Sequence, residues 1–175
     1  MEIDIRKVTC RRELNDFVRL PRMMYRDVPQ YVPDLERDVA GLLNKKDNPG
    51  LEFSDIQFFV AYHSDVPIGR IAGLVNRKAN ERWQRRVVRF GLIEFIDDLN
   101  VSRALLDAVE QWGRELGMET LQGPMGITDF DKEGMLIEDF HLPGTMNTIW
   151  NPEYYPRHLE ALGFQKAVDW VQIRI

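Results

Sequence analysis

Cysteine is nearly absent: Cys10 is the single such residue among 175. A lone thiol excludes an internal disulfide framework and a cysteine-based zinc cluster. No stretch approaches the roughly 20 apolar residues that a membrane-spanning helix needs. The opening MEIDIRKV lacks the charged-then-apolar layout of a secretory signal. A soluble, cytoplasmic protein is therefore expected. His63, His141 and His158 are scattered, with no helical pair to hold a metal, and no G-x-S-x-G elbow accompanies them. Positive charge is not in excess either: 23 Lys and Arg stand against 28 Asp and Glu, a net charge of −5. That balance argues against general affinity for nucleic acid.

What is present is enough apolar residue, 44% of the chain, to build one compact core at this length. Residues 2–8 alternate Ile3, Ile5 and Val8 against charged neighbours and read as a first strand. Between Arg11 and Tyr25, Leu14, Phe17, Val18 and Met24 make a helical face that Pro21 is expected to kink or divide. A second helix is expected over 35–43, after the turn DVPQYVP. Two apolar runs, 56–62 and 67–76, have the spacing of an antiparallel hairpin, and 87–96 is apolar on both parities, as in a central strand covered on both faces. Asn100 is placed to cap a helix whose buried stripe is Val101, Leu105, Ala108, Val109, Trp112 and Leu116, with Gly117 ending it. A short strand at 120–122, a long connection over 123–151, a helix over 152–162 and a closing strand over 165–175 complete the expectation. The order is not that of a doubly wound sheet, and a mixed sheet with helices on both faces accommodates it.

Several stretches carry this reading further. The strand VPIGRIAGLV, the strand VVRFGLIEFI leading into helix 100–117, and the terminal unit HLEALGFQKAVDW together resemble the GNAT (N-acetyltransferase) superfamily over the whole chain. The segments LPRMMYRDVPQYVPDLERD, GLIEFIDD, LQGPMGITDFDKEGMLIEDF and NPEYYPRHLEALGF are similar to a bacterial branch of it, in which such a domain is often followed by more chain. The resemblance implies a single α/β (α+β) GNAT-like domain over residues 1–175. It implies a V-shaped opening between two parallel strands, and transfer of an acyl group from acetyl-CoA or another acyl-CoA to a small-molecule or peptidyl amine. A second copy or a downstream domain is the further expected partner; nucleic acid and membrane are not expected.

The superfamily's phosphate signature, Arg/Gln-x-x-Gly-x-Gly/Ala, is missing here. No glycine occurs between Gly91 and Gly113, and the corresponding turn reads Phe95-Ile96-Asp97-Asp98-Leu99-Asn100. Two aspartates at a helix N-terminus compete with a pyrophosphate for the same positive end. The resemblance still assigns the donor to this turn, through Phe95, Ile96 and Asp97 with Ser102 and Arg103. The tyrosine that many members carry four residues before the glycine of the GF pair is replaced by Leu159, with Tyr154 and Tyr155 one turn upstream. Tyr155 is then the candidate general acid, and the alternative is that these tyrosines simply pack and anchor a loop. Glu94, inside an apolar strand, is the candidate base acting through water; the alternative is an ion pair with an arginine. These departures keep a second function in view, a catalytically inactive module that binds a ligand or another domain.

Other patterns are weaker. Asp129-Phe130-Asp131-Lys132-Glu133-Gly134 imitates the start of a calcium loop but has Phe140 where a bidentate carboxylate belongs. Its acidic residues, with Glu138, Asp139, Asp97 and Asp98, can form a negative rim that attracts a cationic amine. Residues 77–89 hold six cations against Glu81, with Trp83 among them, and read as a solvated connection between strands, the alternatives being contact with a partner, with nucleic acid or with the phosphates of CoA. Gly123-Pro124-Met125-Gly126 is expected to shape a turn or the floor of the pocket.

Overall fold

A computed structural model describes residues 1–44, 46–128, 130–145 and 148–171. Its sheet has five strands in the order β1 (Asp4–Lys7), β2 (Ser54–His63), β3 (Val66–Asn76), β4 (Val87–Phe95) and β5 (Thr120–Gln122). The first four form an antiparallel meander, with Asp4 opposite Tyr62, Ser54 opposite Asn76 and Arg70 opposite Glu94. β5 pairs with β4 in parallel, Val87 to Thr120 through Arg89 to Gln122. Parallel pairing needs a crossover. The crossover is α4 (Leu99–Glu115).

Alternation of side chains explains why the strands are apolar on both parities. Phe59, Ala61, Ile71 and Phe95 pack towards α4 and α5 (Tyr154–Ala161) with Val101, Leu105 and Val109. Phe58, Val60, Ala72 and Leu74 face α1 (Arg11–Met24) and α2 (Glu36–Gly41) instead, with Phe17 stacked on Phe58 at 4.1 Å between centroids. The mixed sheet with helices on both faces is thus as expected. α4 lies very close to the sheet: a Cβ at Gly113 would come within 2.5 Å of Val88 Cγ1.

The differences from expectation are local. α1 runs through Pro21 as one helix rather than two pieces. Proline has no N–H for the carbonyl four residues back, that of Phe17. Arg70 Nη1 donates to that oxygen at 2.9 Å and satisfies it. The basic connection contains a short helix, α3 (Arg77–Trp83), capped by the Asn76 side chain. Asp98, not Asn100, caps α4, and Gly117 takes the positive φ that ends it. The expected closing strand is not formed over residues 165–171, and 172–175 lie outside the described residues. The imitation of a calcium loop begins at Asp129, which also lies outside them.

Candidate functional site

β4 loses its β5 partner after Arg89, while its own chain continues to Phe95. The chain leaving β5 turns away through Gly123 and Pro124, and Met125 N–H donates to Phe90 O at 2.8 Å. A bulge follows, with Leu92 at positive φ and the register with β3 shifted between Ala72 and Arg70. This irregular end of β4 borders a cavity of about 80 Å³. Tyr31, Arg70, Glu94, Pro124, Trp150 and Tyr155 are among its lining residues.

Four elements meet at Glu94. β4 carries it, β3 brings Arg70 into register opposite, the end of α1 supplies Tyr25, and the first turn of α5 supplies Tyr155. Tyr25 Oη lies 2.7 Å from Glu94 Oε2 and Tyr155 Oη 2.8 Å from the same oxygen, both hydrogen-bond lengths. The two phenol oxygens are 2.5 Å apart. Phe95 N–H donates to Tyr155 Oη at 2.9 Å, and Tyr154 Oη donates to Phe95 O at 2.6 Å. The free backbone edge of β4 is therefore closed at Phe95 by two side chains from α5.

Arg70 stands 3.8 Å from Glu94 Oε1, beyond hydrogen-bond range. Its guanidinium covers the Phe17 ring at 4.9 Å, and its Nε is buried without a hydrogen-bond partner. Burial pushes the Glu94 carboxyl up from the ordinary carboxylate range, with the Arg70 charge opposing and Asp34 adding to the rise. Burial likewise raises both phenols, and the Glu94 charge raises them further. Such groups keep their protons until a strong base needs one.

The structure brings together two residues that the sequence singled out, Glu94 and Tyr155. It adds two that sequence reasoning missed. Arg70 had a signal, since it is a charge inside the apolar run of β3 just as Glu94 is inside β4. Tyr25 had none: it lies 69 residues from Glu94 in sequence.

The β4–α4 turn is occupied by its own side chains. Asp98 Oδ1 accepts from Asn100 N–H at 2.8 Å, and the amides of Val101 and Ser102 donate to Asp98 O. Ile96 N–H is held by Ile68 O. Ser102 is fully buried, and its hydroxyl contacts Leu99 O at 3.1 Å and His158 Nδ1 at 3.0 Å. His158 Nε2 reaches Asp97 Oδ1 at 3.0 Å. Arg103 is exposed on the first turns of α4. Asp97, His158 and Ser102 thus tie α5 to the start of α4, a serine–histidine–aspartate contact that the scattered histidines gave no sign of. Within the basic segment, Arg86 pairs with Glu119 and Arg89 holds the carbonyls of Gly126 and Ile127.

No family model matches the sequence. The chain is 30% identical over 172 residues to protein YghO of Escherichia coli and 26% identical over 169 residues to the bacterial ceramide synthase of Caulobacter vibrioides. Each match covers 96% of this chain and 44% of the relative. The chain thus spans less than half the length of both. Among solved structures, aminoglycoside N-acetyltransferase AAC(6′)-Iy in complex with CoA aligns at a TM-score of 0.56 and 16% identity, over 99% of this chain and 95% of that one. A tandem GNAT protein from the clavulanic acid biosynthesis pathway aligns at 0.53 and 13%, over 69% of this chain and 35% of that one.

Proposed function

We propose that this chain, whose fold is that of the GNAT acetyltransferases, is an acyl-CoA-dependent N-acyltransferase with Glu94 and Tyr155 as its proton-transfer groups. The observation that carries the reading is a buried carboxyl with two phenols at the wall of a cavity, where β4 parts from its parallel neighbour. The amine nitrogen attacks the thioester carbonyl carbon, the carbon–sulfur bond breaks, and two protons must move. Glu94 takes the amine's proton through a water, and Tyr155 protonates the departing sulfur. Cavity walls that include Tyr31, Leu92, Ile93 and Trp150 suit an apolar acyl chain or acceptor. The name of the Caulobacter relative points to the same bond, because a ceramide is the amide of a fatty acid with a long-chain amino alcohol. The donor's phosphates lie near the turn Phe95, Ile96 and Asp97, with exposed Arg103 as the cation offered and Ser102 acting from beneath through His158.

A second reading, a GNAT-fold module that binds a ligand or another domain without turnover, is favoured by one observation. The amides at the start of α4 are spent on Asp98, and Phe95 is closed by Tyr154 and Tyr155. Release of free thiol from acetyl-CoA and from a long-chain acyl-CoA, followed colorimetrically against amino alcohols, amino sugars and peptides, separates the two. Turnover that is lost in Glu94→Gln supports the transferase. Absence of thiol release with every donor and acceptor leaves the binding module.

A further inference from the structure

The three oxygens at the centre of the site impose a proton count. Tyr25 Oη, Tyr155 Oη and Glu94 Oε2 form a closed triangle with sides of 2.5, 2.7 and 2.8 Å, each a hydrogen-bond length. Every side needs one proton between its oxygens. With Glu94 ionised the two phenols supply only two. One pair of lone pairs would then face each other across a buried contact, which low dielectric makes costly. The Phe95 amide fills one acceptor site of Tyr155, leaving one site to accept and one proton to donate within the ring. A closed ring of three donations, running in either sense, then satisfies all the groups. In one sense, the one a relay uses, Glu94 donates to Tyr25, Tyr25 donates to Tyr155, and Tyr155 donates to Glu94; rotation of the three hydroxyls interconverts it with the other.

We infer that Tyr25, Tyr155 and Glu94 share three protons in the resting protein, so that Glu94 is there a carboxylic acid and Tyr25 is the positioning residue that relays a proton to Tyr155. The surroundings fit. Arg70 faces Glu94 from β3 but stays beyond hydrogen-bond distance and spends Nη1 on Phe17 O. Asp34 and Tyr31 face it from the segment after α1, and Tyr154 from α5. Lys132, on the far side, is paired with Asp34. Burial of the carboxyl acts in the same direction.

The relay rests on the acyl-transfer reading only for the fate of its protons. As the new carbon–nitrogen bond forms and the carbon–sulfur electron pair goes to sulfur, Tyr155 gives its proton to sulfur. Tyr25 passes its proton to Tyr155, and Glu94 passes its own to Tyr25. The carboxylate so formed takes the proton lost by the amine, and the ring again holds three.

Infrared difference spectroscopy on the full chain, without any substrate, tests the ring independently of turnover. Ordinary carboxyls are ionised near neutral pH, so a carbonyl band of a carboxylic acid there reports a buried protonated group. The ring requires that band in the wild type and its loss in Glu94→Gln. Its absence from the wild type overturns the inference whether or not the protein transfers acyl groups, and the wild-type spectrum stands even if the variant fails to fold. Tyr25→Phe gives a second, signed readout. If Tyr25 merely donated to a carboxylate, its removal would raise the pH at which Glu94 ionises. In the ring its removal breaks the closure that holds the third proton, and the band disappears at lower pH than in the wild type. A shift to higher pH overturns the relay.

Discussion

Glu94 loses more by ionising in the folded protein than in the unfolded chain, because burial outweighs the help of Arg70. The sign for stability follows. A carboxyl whose folded-state pKa is raised contributes stability that is fully present below its ordinary range, near 4.5, and is lost as pH rises through the folded value. Chemical denaturation of the wild type and Glu94→Gln across pH 4 to 9 is expected to show a decline in the wild type that the variant lacks. An equal decline in both contradicts the assignment. Arg70→Met removes the donor to Phe17 O, which Pro21 leaves with no helical partner. An unsatisfied buried carbonyl costs about 1–3 kcal/mol, and denaturant midpoints measure it. The same change withdraws the charge that favours ionised Glu94, so the carboxyl should ionise at still higher pH.

Elements were legible where their signals are local. The stripe of α4 repeats with helical period and Gly117 closes it, so the strongest helix reads directly from the sequence. Glu94 was legible for the opposite reason, as a charge in an apolar run. Pro21 misled because the partner that rescues its helix, Arg70, comes from β3, 53 residues beyond the Phe17 carbonyl it satisfies. Tyr25 and the contact of Ser102 with His158 were hidden for the same reason: the first needs α1 docked on the sheet and the second needs α5 docked on α4. Two predictions belong to this scale. Glu13 Oε2 accepts from the amides of Thr9 and Cys10 ahead of α1 and is held below the usual carboxylate range by those bonds. Glu13→Ala should cost about 0.5–2 kcal/mol, the usual cost of losing a helix cap. The loss should shrink as pH falls through the depressed pKa, because protonation weakens the cap in the wild type too. Gly113→Ala pushes a methyl into Val88 and should cost about 1–3 kcal/mol by overpacking α4 against β4. Thermal unfolding of that variant should show it.

For the whole molecule, the sheet and its two helical layers set the floor of a cavity, and α5 decides what can reach it. The tyrosines at 154 and 155 hold the edge of β4 that an extended thioester would run beside, while Asp97 and Asp98 occupy the turn where its phosphates belong in the acyltransfer account. Donor binding therefore has to contend with contacts already made within the chain. A titration of the protein with acetyl-CoA, CoA and a long-chain acyl-CoA, read by calorimetry and by the rise in unfolding temperature that native-state binding brings, tests it most directly. The account predicts saturable binding of an acyl-CoA, weakened when Arg103 is replaced by Ala. No heat and no thermal shift with any of the three at millimolar concentration would contradict it.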